Sequence, residues 1–171
     1  MRSEVIETGF GFGDLAPLPE NIQGIVIHHS GEDDVDLSAA DIHRIHLGNG
    51  WSGIGYHFVA RWDGTVERGR PEWAQGAHSP GANRFTLGVH VAGCFSGRLP
   101  GEAQLQALVN LLADLCEKYG LNPMGQLWNG KDVISGHRDW IATECPGQML
   151  YSILPQIRQQ VAEAIAQGGV A

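Results

Sequence analysis

The sequence predicts an α/β fold, in which one domain contains a central mixed β-sheet flanked by helices. The chain has 171 residues, of which 43% are hydrophobic and 18% charged, and this size and composition are typical of a single globular domain. Short runs of β-branched residues also alternate along the chain with longer segments of helical periodicity. We therefore expect an N-terminal arm over residues 1–20 and one folded domain over residues 21–171.

The first third of the chain contains one strand signal and one helix signal. Residues 1–20 include three glycines and two prolines with weak periodicity, so no regular element is predicted there. The apolar run at 22–28 is rich in β-branched residues and predicts a central strand. Ser38 is the predicted N-cap of a helix whose apolar face continues towards Gly48, where the helix should stop.

The middle of the chain predicts a hairpin, a long loop and a further strand. Polar and apolar residues alternate over 55–61, and Asp63-Gly64 is a strong signal for a tight turn into the next strand. Residues 69–84 are rich in glycine, proline and small side chains, which predicts a surface loop. The apolar residues at 87–91 predict another strand.

The last part of the chain predicts two helices with a short strand between them. Apolar residues recur at helical spacing over 105–119, and Gly120 is placed to end that helix. A brief strand is expected at 132–135. A second periodic segment at 150–165 predicts a C-terminal helix, which Pro155 either kinks or enters in its first turn.

The charge balance and the cysteine count restrict the partners of the protein. A formal net charge of −8 at pH 7 disfavours binding to nucleic acid or to an anionic membrane surface. Three cysteines in a chain of this length do not make a disulfide framework. The acidic N-terminus lacks the apolar region of a signal peptide, and no apolar run approaches the roughly 20 residues of a membrane span. We therefore expect a protein that is made and stays soluble in the cytoplasm until it is released.

Two histidines and a cysteine form a candidate metal site. One predicted strand ends in His28-His29, another leads to His137, and Cys145 follows eight residues later in a polar turn. Adjacent strand residues point to opposite faces, so His28 and His29 cannot both bind one ion. Two imidazoles and one thiolate are ligands that zinc prefers, and three protein ligands leave one position for water, as in catalytic zinc sites.

Five motifs occur in an order that characterises one protein family. They are VIHHS at 26–30, GYHF at 55–58, DGTVERGR at 63–70, GAH at 76–78 with GAN at 81–83, and HRD at 137–139 with CPG at 145–147. In these motifs the chain resembles the zinc-dependent N-acetylmuramoyl-L-alanine amidases, which include phage amidase-type lysozymes and animal peptidoglycan recognition proteins. The resemblance implies a central mixed β-sheet with helices packed around it.

The resemblance also implies a zinc site and a reaction. One zinc ion would be bound by His28, His137 and Cys145, with Tyr56 beside the open coordination position and Thr143 close to it. The reaction would be hydrolysis of the amide bond between N-acetylmuramic acid and the first L-alanine of the peptidoglycan stem peptide. Zinc would supply an activated water molecule, and the hydroxyl groups of Tyr56 and Thr143 would donate hydrogen bonds to the developing oxyanion.

The identity of the general base is left open by the sequence. Glu144 adds a carboxylate next to Thr143, and this carboxylate is either solvated or a proton-transfer group. Tyr56, Glu144 and a water relay are therefore three candidates, among which geometry must decide.

The implied substrate is a glycan with a peptide arm, so its groove should combine aromatic surfaces with hydrogen-bonding groups. The candidates for this groove are His43, Trp51, Trp73, His78, Asn83 and Arg84. Arg84 could pair with a carboxylate of the stem peptide. The alternatives are that the tryptophans close the core beneath loops, and that His78 and Asn83 hold their own loop.

Two related functions compete with that of a lytic amidase. A peptidoglycan-binding module without catalysis would be expected to lack the cysteine ligand or the tyrosine, whereas this chain has both Cys145 and Tyr56. A cytosolic amidase that recycles anhydro-muropeptides would be expected to present aspartate as the third ligand. We therefore predict a monomeric, endolysin-like zinc enzyme that acts on cell-wall peptidoglycan after its release, without a nucleic-acid or membrane partner.

Overall fold

The computed structural model describes residues 1–31 and 33–168, in which strands and helices alternate as expected. The strands are β1 (Val5–Ile6), β2 (Gly24–His29), β3 (Phe58–Ala60), β4 (Val66–Arg68), β5 (Thr86–Val91) and β6 (Ile134–Gly136). The helices are α1 (Ala39–Gly48), α2 (Glu102–Tyr119), α3 (Gln148–Ser152) and α4 (Leu154–Gly168). The predicted α/β fold class is confirmed.

The six strands form one mixed sheet in the order β1-β4-β3-β5-β2-β6. The hairpin partners β3 and β4 are antiparallel, while β5 and β6 both run parallel to β2. The turn predicted at Asp63-Gly64 joins β3 to β4, and the Asp63 carboxylate accepts a hydrogen bond from the Thr65 N–H at 2.9 Å. The parallel arrangement brings the carboxyl ends of β2, β5 and β6 to one edge of the sheet.

The two faces of the sheet have different chemical characters, because successive strand residues point to opposite sides. Ile25, Ile27 and Leu87 belong to the main hydrophobic core, which is completed by residues of α2, α3 and α4. On the opposite face β2 presents His28 and β5 presents His90, and both side chains are buried. The polar face therefore carries buried imidazoles, while the apolar face supplies the burial that stabilises the fold.

Helix α1 covers part of the polar face and begins at the predicted N-cap. The Ser38 hydroxyl accepts a hydrogen bond from the Asp41 N–H, and the Asp41 carboxylate accepts one from the Ser38 N–H, each at 3.0 Å. Ile42 of this helix packs with Ile54 and Val59 in a second, smaller hydrophobic cluster. The capping box thus fixes the start of α1, and the apolar cluster fixes its position on the sheet.

Two predicted elements differ from the structure in their extent. The strand predicted over 55–61 is reduced to β3. At its start the Gly55 N–H is bonded to a His46 ring nitrogen instead of to a neighbouring strand. The single C-terminal helix is divided into α3 and α4. Pro155 lies in the first turn of α4, where its missing N–H would have had no partner within the helix.

The N-terminal arm predicted over 1–20 is attached to the domain. Val5–Ile6 forms the edge strand β1 on β4. The Arg2 guanidinium pairs with Asp114 of α2 at 3.1 Å, and Phe10 stacks on His43 of α1 at a ring distance of 4.4 Å. Sequence periodicity does not reveal these contacts, because each depends on residues distant along the chain.

Candidate functional site

The three candidate metal ligands converge at the carboxyl edge of the sheet. His28 is near the end of β2, His137 directly follows β6, and Cys145 lies in the loop between β6 and α3. Because β2 and β6 are parallel neighbours, their ends bring the two histidines to the same place. The potential ligand atoms of the three side chains all lie within 4.8 Å of one another.

The geometry of this group fits a tetrahedral metal ion. The His28 Nδ1 atom lies 3.7 Å from the Cys145 sulfur. Bond lengths of about 2.0–2.1 Å for Zn–N and about 2.3 Å for Zn–S place two tetrahedral ligands about 3.6 Å apart, close to this separation. The Nε2 atom of His137 is buried and has no hydrogen-bond partner in the described part of the chain, so it is available for coordination.

The protonation states of the histidines suit metal binding. Burial, together with the neighbouring imidazole of His78, holds the pKa of His28 well below its usual range. Burial also lowers the pKa of His137. Both rings are therefore neutral at physiological pH, and a neutral imidazole is the form that binds a metal.

The environment of Cys145 favours the neutral thiol, and it would favour the thiolate only with a cation bound beside it. Burial raises its pKa to about 12, against the opposing effects of a backbone hydrogen bond from His29 and of the positive charge of Arg138. The His29 N–H lies 3.4 Å from the sulfur and would stabilise a thiolate. A bound metal would convert the thiol to the thiolate, because coordination deprotonates cysteine.

Backbone contacts fix the loop that carries Cys145. The Arg138 N–H donates to the Cys145 carbonyl oxygen at 3.0 Å, and the Arg138 guanidinium donates to the Glu144 carbonyl oxygen. The Thr143 hydroxyl oxygen accepts a hydrogen bond from the Cys145 N–H at 3.2 Å, so the hydroxyl hydrogen is not used in this bond. Gly147 has φ 93° and lies against the Phe95 backbone, where a Cβ would come within 2.4 Å. Only glycine fits this combination of dihedral angle and space.

Tyr56 lies next to the ligand set. Its ring centroid is 4.9 Å from that of His28 and 4.8 Å from that of His90, and the side chain lines the cleft above the ligands. Burial raises the pKa of the Tyr56 hydroxyl above its usual value. The group therefore remains protonated at neutral pH and can act as a hydrogen-bond donor.

A cleft of about 970 Å³ opens over the candidate ligands. Its polar lining comes from the last residue of β2 and from the segments that follow β2, β5 and β6, namely His29, Ser30, Gly31, Asp33, Cys94, Ser96, His137, Thr143, Glu144 and Cys145. Its apolar lining is formed by Val35, Leu37 and Ile45 beside Tyr56. An adjoining pocket of about 390 Å³ shares Ser96, Thr143 and Glu144 with the cleft and is closed by Arg138 and Gln148. The predicted catalytic residues Tyr56, Thr143 and Glu144 thus all line the cleft with His137 and Cys145.

The predicted substrate-binding role of His43 is not supported by its position. The His43 side chain is buried, its Nδ1 atom accepts a hydrogen bond from the Ile54 N–H, and its Nε2 atom lies 3.0 Å from the Gly11 carbonyl oxygen. Both ring nitrogens are therefore engaged within the protein. His43 thus joins α1 to the N-terminal arm and to the loop before Tyr56.

His78 and Asn83 also lie outside the cleft lining. The Asn83 side-chain oxygen accepts hydrogen bonds from the N–H groups of His78 and Ser79 at 3.0 and 2.9 Å, which is the loop-holding alternative that the sequence left open. His78 is buried, and its Nδ1 atom lies 2.9 Å from the His28 Nε2 atom. The structure therefore places His78 behind a candidate ligand rather than on a groove rim.

The remaining predicted groove residues lie at the surface outside the cleft lining. Arg84 lies 2 residues before the start of β5, at the end of the sheet opposite the candidate ligands. It pairs with Glu20 at 3.5 Å. Trp73 is exposed. Trp51 is half exposed and packs on His46, whose ring lies 5.7 Å from that of Tyr56. Trp51 is thus connected to the cleft residue Tyr56 through the His46 ring.

Sequence reasoning missed several residues that line the cleft. His29, Ser30 and Asp33 follow the first ligand, and Cys94 and Ser96 follow β5. The signal that could have found them is their position directly after parallel strands, because the carboxyl ends of parallel strands share one edge.

Comparisons with known proteins give this geometry a context. The family model described as N-acetylmuramoyl-L-alanine amidase matches residues 18–148, the segment that contains the three candidate ligands and Tyr56. The chain is similar to an endolysin of Enterobacteria phage T3, with 32% identity over 130 residues that cover 72% of this chain and 80% of that one.

Two further proteins extend the comparison. A Sus scrofa protein named N-acetylmuramoyl-L-alanine amidase is 33% identical over 151 residues, which are 83% of this chain and 24% of that protein. This chain therefore spans about a quarter of the length of the porcine relative. A solved endolysin N-acetylmuramoyl-L-alanine amidase from Clostridium intestinale URNW superposes with a TM-score of 0.80 at 31% identity, covering 93% of this chain and 95% of that one.

Proposed function

The chain belongs to the N-acetylmuramoyl-L-alanine amidase family, and from this premise we propose that it hydrolyses peptidoglycan with one zinc ion held by His28, His137 and Cys145. The bond cleaved is the amide between the lactyl group of N-acetylmuramic acid and the first L-alanine of the stem peptide. This proposal rests on one observation, which is that three candidate ligands lie beside a protonated tyrosine at the base of an open cleft. These three residues would hold the ion and would leave one position for water or substrate.

The ion and the residues around it have separate tasks. When bound, zinc supplies Lewis acidity for the scissile carbonyl and lowers the pKa of water to about 7. Tyr56 donates a hydrogen bond to the oxygen on which negative charge develops, since its raised pKa keeps the hydroxyl protonated. The Thr143 oxygen accepts a hydrogen bond from the Cys145 N–H. Its hydroxyl hydrogen can then be donated to the developing oxyanion.

We assign proton transfer to Glu144 rather than to Tyr56. A tyrosine whose pKa is raised is a poor general base at neutral pH. Glu144 lines the cleft next to the ligand Cys145, is exposed to solvent, and offers a carboxylate to a water molecule or to the departing amine. Among the residues that the structure describes, Asp33 is the other carboxylate in this lining, so Asp33→Asn is the matched control for Glu144→Gln in peptidoglycan hydrolysis.

We also propose an endolysin-like role for this activity. The chain acts as a monomer on cell-wall peptidoglycan that it reaches after release, and the apolar side of the cleft beside Trp51 receives part of the glycan. The related phage protein carries the name endolysin. In the part of the chain that the structure describes, no helix combines the length and the apolar character required to cross a bilayer.

Digestion of defined muropeptides with mass analysis tests this function. We expect release of the free stem peptide, loss of that release on chelation, and recovery when zinc is added back. An anhydro-muropeptide should be included, because preferential cleavage of that substrate would instead favour the recycling role. Binding of muropeptides without any cleavage, in a protein shown to contain zinc, would contradict the enzymatic proposal and favour a recognition module.

A further inference from the structure

A buried pair of imidazoles lies behind the candidate metal site. The His28 Nε2 atom is 2.9 Å from the His78 Nδ1 atom, and the two rings are nearly perpendicular, at 89°, with their centroids 5.0 Å apart. Neither side chain is exposed to an appreciable extent. His78 belongs to the loop between β4 and β5, 50 residues away from His28 in sequence, so this contact depends entirely on the tertiary fold.

The surroundings of His78 leave space for its ring in this position. A Cβ on Gly88 would lie 2.6 Å from the His78 ring, and a Cβ on Gly76 would also lie 2.6 Å from it. The ring therefore occupies volume that two glycines vacate, one on β5 and one in the loop. Asn83 fixes the backbone at His78 through the hydrogen bond described above. The available space and the fixed backbone thus place the ring with its Nδ1 atom towards His28. Its Nε2 atom is buried and has no hydrogen-bond partner in the described part of the chain.

We propose that His78 is a positioning residue that holds the His28 imidazole in one tautomer and one orientation, with Nδ1 directed at the metal. The inference rests on the proposed zinc site. His28 Nδ1 is the nitrogen near the Cys145 sulfur, so it must be unprotonated to bind the ion. The proton of the neutral ring then lies on Nε2 and is donated to the lone pair on His78 Nδ1.

The nature of this partner also affects the charge of the site. Metal-binding histidines generally donate their second N–H to a carboxylate, a carbonyl or water. An imidazole orients the ligand in the same way but adds no negative charge. With one thiolate and two neutral histidines, the zinc site keeps a net positive charge, and this charge favours the oxyanion formed at the scissile carbonyl.

A matched pair of substitutions separates orientation from packing. His78→Asn keeps an acceptor oxygen at the position of Nδ1, whereas His78→Leu has nearly the same shape as asparagine but no acceptor. We expect His78→Leu to weaken zinc binding by about 10–100-fold in a chelator competition. His78→Asn should bind zinc nearly as tightly as the unmodified protein, and the visible spectrum of its cobalt-substituted form should match that of the unmodified protein.

His43→Leu is the control for a general loss of stability. His43 is also a buried histidine with two internal hydrogen-bond contacts, but it has no contact with the ligands. The His43→Leu protein should have a lower unfolding temperature and the same zinc affinity as the unmodified protein. Equal zinc affinity in His78→Leu, His78→Asn and the unmodified protein would overturn the proposal. Failure of the unmodified protein to bind zinc would instead contradict the proposed function on which this inference rests.

Nitrogen-15 NMR of the zinc-loaded, unmodified protein gives a test that does not depend on the folding of any variant. We expect the Nε2 atom of His28 to carry a proton and the Nδ1 atom to show the shift of a metal-bound nitrogen. A metal-bound Nε2, or a ring that exchanges between tautomers, would be incompatible with a positioning role for His78.

Discussion

At the scale of single residues, identical side chains have different roles because their partners differ. His28 offers one nitrogen to the candidate metal site and the other to His78. His57 is completely buried and bonds to the backbone of Gly88 and Ala74, so it is a structural residue. Hydrogen-bond geometry, rather than residue type, therefore distinguishes a candidate ligand from a histidine whose two nitrogens are both used by the backbone.

Tyr56→Phe tests the assignment of the tyrosine as hydrogen-bond donor. The phenyl ring keeps its packing against His28 and His90, so zinc content and folding should not change. Loss of the hydroxyl should reduce turnover of purified peptidoglycan by about 10²–10³-fold, because one donor to the oxyanion is removed. Near-normal hydrolysis by a zinc-loaded Tyr56→Phe protein would show that the hydroxyl has no such role.

At the scale of the elements, parallel strands assemble the site and loops complete it. The strands β2 and β6 place His28 and His137 at one edge, and the loop after β6 returns Cys145 to the same edge. Helix α1 supports the opposite wall of the cleft, to which it contributes Ile45. The sheet therefore positions two of the candidate ligands, while loop contacts determine the position of the third.

The capping box of α1 provides a test at this scale. Ser38→Ala removes the hydroxyl that accepts the Asp41 N–H, and we expect it to lower the free energy of unfolding by about 0.5–2 kcal/mol. Ser38→Asp is the control, since aspartate also caps helices and should retain most of the stability. Urea unfolding of the three proteins measures the difference. A loss as large in Ser38→Asp as in Ser38→Ala would mean that capping is not the cause.

At the scale of the whole molecule, one face of the sheet carries the apolar core and the other face carries buried histidines. Burial of the apolar side chains on the first face stabilises the domain. The polar face is kept together by side-chain contacts to the backbone, such as that of the buried Arg70 guanidinium with the carbonyl oxygens of Ile54 and Gln75. The cost of these buried polar groups is offset by hydrogen bonds.

The buried histidines predict a pH dependence for the stability of the metal-free protein. Burial lowers the pKa of His57 to about 4 and that of His90 to about 3. Below about pH 6.5 the unfolded chain binds protons that the folded protein does not bind, so stability is lost as the pH falls from about 6.5 towards 4. As the pH falls through this range, each such histidine lowers the free energy of unfolding by about 1.4 kcal/mol per pH unit.

Urea unfolding in the presence of chelator, at about pH 7 and about pH 5, measures this effect. We expect a clearly lower free energy of unfolding at the lower pH, with an unchanged dependence on urea concentration. An equal free energy of unfolding at the two pH values would mean that these imidazoles are protonated in the folded protein.

The sequence determined the class of fold and most of the candidate site. Ser38, Asp63-Gly64 and Gly120 fix the ends of elements by local chemistry, and each occupies its predicted place in the structure. Residue type and motif order were sufficient to propose His28, His137 and Cys145 as ligands, because these residue types have few other reasons to occur together. Such local signals can be read from neighbouring residues alone.

The tertiary structure decided what each surrounding side chain contacts. His43 and His78 both looked like groove residues, yet one is bonded to Ile54 and Gly11 and the other to His28. Arg84 was expected near the substrate but lies at the opposite end of the sheet. These contacts join residues far apart in the chain, and their geometry depends on strand order and loop packing, so local sequence patterns do not contain it.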